Sequence, residues 1–140
     1  MKTPTLARSI ANLTLTKKAS DVLLMDLRQV TTMTDFFVVC SADSDTQMKA
    51  IADAVEEGME KKGVRPWHRE AGSEQWILLD FVYVVVHIFH KTSRSYYNLE
   101  RLWGDAVMEP IADRGRLPEK RPVAPARQRR AGTARKRIAG

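Results

Sequence analysis

Phe36-Phe37-Val38-Val39-Cys40-Ser41-Ala42, followed at once by Asp43-Ser44-Asp45-Thr46-Gln47, is the stretch on which the fold turns. The apolar run from Phe36 to Cys40 is too continuous for a strand with one wet face, so it predicts a central strand covered on both sides. Ser44 and Gln47 then stand at capping-box spacing. Behind them Met48, Ile51, Ala52, Val55 and Met59 share one helical face, and Gly63 follows Lys61-Lys62, which predicts a helix over 45–62. A buried strand feeding a helix that covers it is the building unit of a layered α/β domain.

Upstream, Val22-Leu23-Leu24-Met25-Asp26-Leu27 reads as a second covered strand, joined to the first through Thr31 to Asp35. Leu6, Ile10 and Leu13, with Ala7 and Ala11 alongside, give an earlier short helix one apolar face. Downstream, Val64 to Arg69 is an edge strand or a loop, because Pro66 lacks the donor that a central ladder position needs. Gln75–Leu79 and Tyr83–Phe89 read as a hairpin joined through Asp80-Phe81-Val82. A final helix is expected from about Ser95 to Val107, with Tyr96, Leu99, Trp103 and Val107 on one face and Pro110 beyond its end. The fold class that results is α/β: a small mixed β-sheet with helices packed on its faces.

The 140 residues, 44% hydrophobic, suit one core and not two. The net charge of +6 hints at nucleic acid until it is divided along the chain. Residues 111–140 hold ten Lys/Arg against Asp113 and Glu119, a balance of +8, and the other 110 residues carry thirteen against fifteen, a balance of −2. The chain thus divides into a domain, 1–110, and a basic Pro/Ala/Arg-rich tail, 111–140. The tail has too few large apolar residues to offset the entropy of ordering it, and is read as disordered. No apolar run reaches the roughly 20 residues that span a bilayer, and Met1 to Thr16 lacks a signal peptide's apolar stretch. With Cys40 as its single cysteine, the chain has no internal disulfide and suits a reducing cytoplasm.

A search for chemistry finds little. Asp43 and Asp45, just after a strand, could hold magnesium in a nucleotidyltransferase-like enzyme, but no Gly-Ser turn or third carboxylate accompanies them. Acidic residues near a helix N-terminus are in any case favoured by the dipole. His87 and His90 differ by an odd number on a strand and point to opposite faces, so they do not pair as ligands. His87, between Val86 and Ile88, is read as structural and in need of a buried hydrogen-bond partner. Cys40 in an apolar strand is a poor nucleophile. No catalytic residue, metal or cofactor is expected. What remains is a cluster of bulky aromatics around the hairpin, Trp76, Phe81 and Tyr83, of a kind that anchors interfaces. Trp76 alone could equally be core.

Several segments taken together resemble the Iojap/RsfS family of ribosomal silencing factors. They are Thr34-Asp35-Phe36-Phe37-Val38-Val39-Cys40, Ile51-Ala52-Asp53, Trp76-Ile77-Leu78-Leu79-Asp80, Val84-Val85-Val86-His87 and Leu99-Glu100-Arg101-Leu102-Trp103, with Arg94, Tyr96 and Tyr97 in step. The resemblance is collinear from about Leu6 to Trp103 and omits the tail. It implies a nucleotidyltransferase-like topology without the catalytic carboxylates. It also implies binding to large-subunit ribosomal protein fourteen, a steric block to joining of the small and large ribosomal subunits, and repression of translation when nutrients are short. Carried over residue by residue, it assigns Trp76, Asp80 and Phe81 to partner binding. A homodimer and a general ribosomal RNA contact by the basic tail are further partners to consider. The competing readings are a magnesium-dependent nucleotidyltransferase using Asp43 and Asp45 and an RNA-binding protein acting through the tail. One departure stands out: the family usually has Gly-Asp where this chain has Val82-Tyr83. A glycine there would permit a positive φ that a β-branched valine adopts only with strain.

Overall fold

A computed structural model describes residues 2–71 and 75–111, and of residues 95–97 only the backbone. The basic segment beyond residue 111 and the expected place of Tyr96 on a helix face lie outside the described residues. The element order is α1 (Thr3–Leu15), β1 (Ser20–Asp26), β2 (Phe36–Ala42), α2 (Asp45–Glu60), β3 (His68–Glu70), β4 (Trp76–Asp80), β5 (Val84–His90), α3 (Lys91–Tyr97), α4 (Leu99–Leu102) and β6 (Val107–Pro110). The strands form one mixed sheet in the order β3-β4-β5-β2-β1-β6. β2 and β5 run parallel, and the other neighbouring pairs are antiparallel.

The central strand is where its composition put it: every residue of β2 is buried. α2 begins as predicted, with the Ser44 hydroxyl accepting from the Gln47 N–H at 3.1 Å and the Gln47 carbonyl oxygen accepting from the Asp43 N–H at 2.7 Å. The same Gln47 amide donates to the carbonyls of Lys17 and Lys18, each at 3.0 Å, so one side chain caps α2 and fastens the end of α1. α2 closes through Gly63 at φ +81, with the Val64 N–H returning to the Met59 carbonyl at 2.9 Å. α1 and α2 cross closely where Gly58 meets Leu13.

β3 is an edge strand, three exposed residues beginning after Pro66. Its polar side chains, His68, Arg69 and Glu70, suit an edge that must not pair with other chains.

The single helix expected over Ser95–Val107 is not present. α3 starts directly from the end of β5 and stops at Asn98, which sits at φ +44. Asn98 tolerates this left-handed region, and its side chain accepts from the Arg101 N–H at 3.2 Å, so it ends one helix and caps the single turn of α4. Val107 then enters β6, which pairs with β1 through Leu23↔Pro110, Leu24↔Glu109, Met25↔Met108 and Asp26↔Val107. Tertiary pairing overrides the helical spacing here: β1 would otherwise expose a row of unpaired backbone groups. Pro110 is harmless in β6 because this strand is the sheet's other edge.

The two faces of the sheet differ. α1 and α2 cover the inner face, where Leu24, Val38, Cys40, Ile77, Leu79, Val84, Val86 and Ile88 meet Ile10, Ile51, Val55 and Met59. On the outer face Met25, Leu27, Phe37, Val39 and Phe89 lie with Leu99, Trp103 and Met108. That cover reaches only part of the outer face.

Candidate functional site

Strand register places the aromatic residues. Trp76 lies opposite Phe89, Leu78 opposite His87 and Asp80 opposite Val85, so all six share the outer face. On the β3 side Glu70 lies opposite Leu78 and His68 opposite Asp80. Trp76, Leu78, Asp80 and Val85 are half-buried, His68 and Glu70 exposed, and His87 and Phe89 buried, so the described residues cover the β3-β4-β5 half of this face only in part.

Beneath it runs a string of rings. Trp103, on the covered half, stands edge-on to Phe37 at 5.6 Å, and Phe37 stands edge-on to His87 at 4.4 Å. Trp76 lies beside His87 at 5.7 Å and stacks on Phe89 at 5.2 Å. The Trp76 indole N–H donates to Nδ1 of His87 at 3.2 Å, which is the buried partner that His87 was expected to need. With Nδ1 accepting, the neutral ring carries its proton on Nε2, for which no hydrogen-bond partner exists among the described residues. Burial pushes the His87 pKa down to about 3, so the ring is neutral at physiological pH. Trp76 is therefore neither core nor free. One edge is held by a buried acceptor while part of the indole stays wet, the disposition of an interface anchor.

Asp80 and Phe81 sit at the turn between β4 and β5. The Phe81 side chain is 6% exposed and packs into the inner core, so it does not stand beside Trp76 on the outer face. Its neighbours Val82 and Tyr83 are 48% and 60% exposed. Val82 has φ +76, the positive value that its β-branch disfavours. Trp67, which sequence reasoning passed over, comes to the same end of the sheet: it is 76% exposed, and its backbone N–H donates to the Asp80 backbone carbonyl at 2.7 Å. A large aromatic beside Pro66 at a sheet edge was the signal available.

The chemistry-bearing candidates fall elsewhere. Asp43 is exposed and 3.6 Å from the Lys91 ammonium, while Asp45 opens the first turn of α2. No group of three or more His, Cys, Asp or Glu suited to hold a metal ion occurs among the described residues. His90 caps α3, accepting from the Thr92 N–H, so it is separated in role from His87. Burial raises the Cys40 thiol to about 12. Arg94 fastens α3 to the sheet, donating to the Asp21 carbonyl and the Ser41 hydroxyl and pairing with Glu100 at 3.1 Å. No helix among the described residues is long and apolar enough to cross a membrane.

Comparison with known proteins identifies the family and agrees with the fold. A family described as "Ribosomal silencing factor during starvation" matches residues 1–138, which extends the likeness past Trp103 and through most of the basic segment. The ribosomal silencing factor RsfS of Bacillus subtilis is 43% identical over 98 residues, covering 69% of this chain and 80% of that protein. The chloroplastic protein Iojap of Zea mays is 36% identical over 90 residues, 64% of this chain and 40% of that longer protein. A crystal structure of a protein from Chromobacterium violaceum superposes with a TM-score of 0.71 at 30% identity, covering 74% of this chain and 88% of that one. The Bacillus subtilis relative is named as a ribosomal silencing factor, the same role that the description of the matching family gives. The chain belongs to the family of ribosomal silencing factors.

Proposed function

We propose that this chain binds large-subunit ribosomal protein fourteen through the β3-β4-β5 half of its outer face, and so sterically prevents the small subunit from joining. Translation is thereby repressed when nutrients are limiting, in the cytoplasm. The observation that carries the reading is Trp76, half-buried and oriented by His87, in a strip with Leu78 and Val85 that the described residues cover only in part. Anchors of this kind supply most of the affinity in protein interfaces. Asp80 and Phe81 belong to the same edge: Phe81 seats the β4–β5 turn in the core, and the turn shapes the margin of the surface. Family membership supplies the ribosomal partner. The basic segment 111–140 adds sequence-independent contact with ribosomal RNA, which raises affinity without choosing the site.

The test is sedimentation of purified large and small subunits with the full chain. Stoichiometric protein is expected to shift joined ribosomes to separate subunits, and free ribosomal protein fourteen added in excess is expected to restore joining. Joined ribosomes that persist at saturating protein would refute the proposal. Subunits that separate but do not rejoin on adding the competitor would refute its choice of partner.

A further inference from the structure

The turn between β4 and β5 holds a residue that should not be there on conformational grounds alone. Val82 is β-branched and nearly half exposed, yet its φ is +76, and the Tyr83 N–H donates back to the Phe81 carbonyl at 3.0 Å. A hydrogen bond between residues two apart across a centre at this φ is the strained form of the γ-turn. The Val82 side chain belongs to neither buried cluster of the described residues. Such strain persists only where the surroundings over-determine it.

The surroundings can be named. The Phe81 N–H donates to the Val84 carbonyl at 2.8 Å, and the Phe81 ring is sunk in the inner core. The Tyr83 carbonyl accepts from the N–H groups of Asp35 at 2.9 Å and Phe36 at 3.1 Å, which ties the far side of the turn to the start of β2. Both flanks are thus fixed by backbone, and the strained residue between them is held by one side chain. Oδ1 of Asp80 accepts from the Val82 N–H at 2.7 Å. Removing that acceptor leaves the Val82 N–H without its partner and the positive φ without its restraint.

We infer that Asp80 is a positioning residue: its carboxylate holds Val82 in the strained turn, and so fixes where Val82 and Tyr83 stand at the margin of the protein-binding face. Its contribution to binding runs through the turn and not through a contact of its charge with a partner. The role in binding rests on the function proposed above; the role in the turn does not.

Asparagine keeps the acceptor oxygen and loses the charge, alanine loses both, and glycine at position 82 accepts positive φ without strain. Four variants of the full chain, Asp80→Asn, Asp80→Ala, Val82→Gly and Asp80→Ala with Val82→Gly, are compared by thermal melting and by affinity for purified ribosomal protein fourteen. Asp80→Asn is expected to resemble the unaltered chain in both. Asp80→Ala is expected to melt roughly 4–8 °C lower and to bind about tenfold more weakly. In the Val82→Gly background the same alanine substitution is expected to lose less than half as much in each. The inference is overturned if Asp80→Asn is as damaging as Asp80→Ala, since the charge would then be what matters, or if Val82→Gly gives no relief. Should the unaltered chain fail to bind ribosomal protein fourteen, the proposed function falls, and the melting series still decides the role of Asp80 in the turn.

Discussion

The two faces of this sheet are built from the same strands by different rules. The inner face, under α1 and α2, is made almost wholly of aliphatic side chains, with Val38, Ile51, Val55, Val86 and Ile88 all fully buried. The outer face mixes rings with polar groups: His87 and Ser41 are buried there, and Arg94 and Glu100 pair across its margin. The inner cluster is apolar throughout. The outer face carries a buried histidine whose ring, among the described residues, is hydrogen-bonded only to a tryptophan that remains partly wet. Alternation along a strand thus lets one chain segment line the aliphatic core with every second residue and the aromatic face with the residues between. In β5, Val86 and Ile88 look inward while His87 and Phe89 look outward.

The largest effect that tests this division belongs to the inner face. Ile88→Ala removes a fully buried side chain, and about 2–5 kcal/mol of stability should go with it. Thermal or urea unfolding would measure the loss, and the folded fraction should still separate ribosomal subunits at unchanged potency. Loss of potency per folded molecule would show that the inner face also takes part in recognition.

Trp76→Ala should fail in the opposite way. Loss of an anchor typically costs ~2 kcal/mol or more of binding, roughly thirtyfold in affinity. Because Trp76 is only half-buried, the melting temperature should fall less than for Ile88→Ala. Titration calorimetry against ribosomal protein fourteen, paired with melting curves, separates the two. A variant that binds normally would remove Trp76 from the interface; one that melts as early as Ile88→Ala would make it core.

The smallest effect concerns pH. His87 has its pKa pushed down from 6.5 to about 3 when folded, so below 6.5 the unfolded chain binds a proton that the folded chain refuses. Its contribution is complete above about pH 6.5 and is lost as pH falls toward 3, by at most about 1.4 kcal/mol per pH unit. Urea midpoints between roughly pH 6.5 and 5, above the range where carboxylates titrate, should therefore decline for the unaltered chain and decline less for His87→Leu. Identical slopes would mean that the ring does not titrate differently in the two states.

Much of this was legible in the residues themselves, because the signals were local. The unbroken run of β2, the Ser44–Gln47 cap and the period of α2 each state their own structure. The end of the chain was less legible because its structure depends on distant partners. Tyr96, Leu99, Trp103 and Val107 carry helical spacing, yet Asn98 turns left-handed and Val107 pairs with Asp26, far back in sequence. The aromatic cluster was visible as a cluster but not as a surface. Phe81 turned inward, and Trp67, from a segment with no clear period, came to the turn through its bond to Asp80. Only register could sort those rings, and register is set by the whole sheet.

Cys40 gives this sheet a built-in clock. Its thiol is fully buried in the middle of the central strand and raised to about 12, so neither an alkylating reagent nor an oxidant meets a thiolate while the domain is closed. Fraying at β3 or β6, the two edges, leaves it untouched, because β5 and β1 still flank β2 on either side. Modification of this single sulfur therefore counts openings of the inner core, by release of α1 or α2 or of the whole domain, and partner binding that stabilises the closed form should slow it.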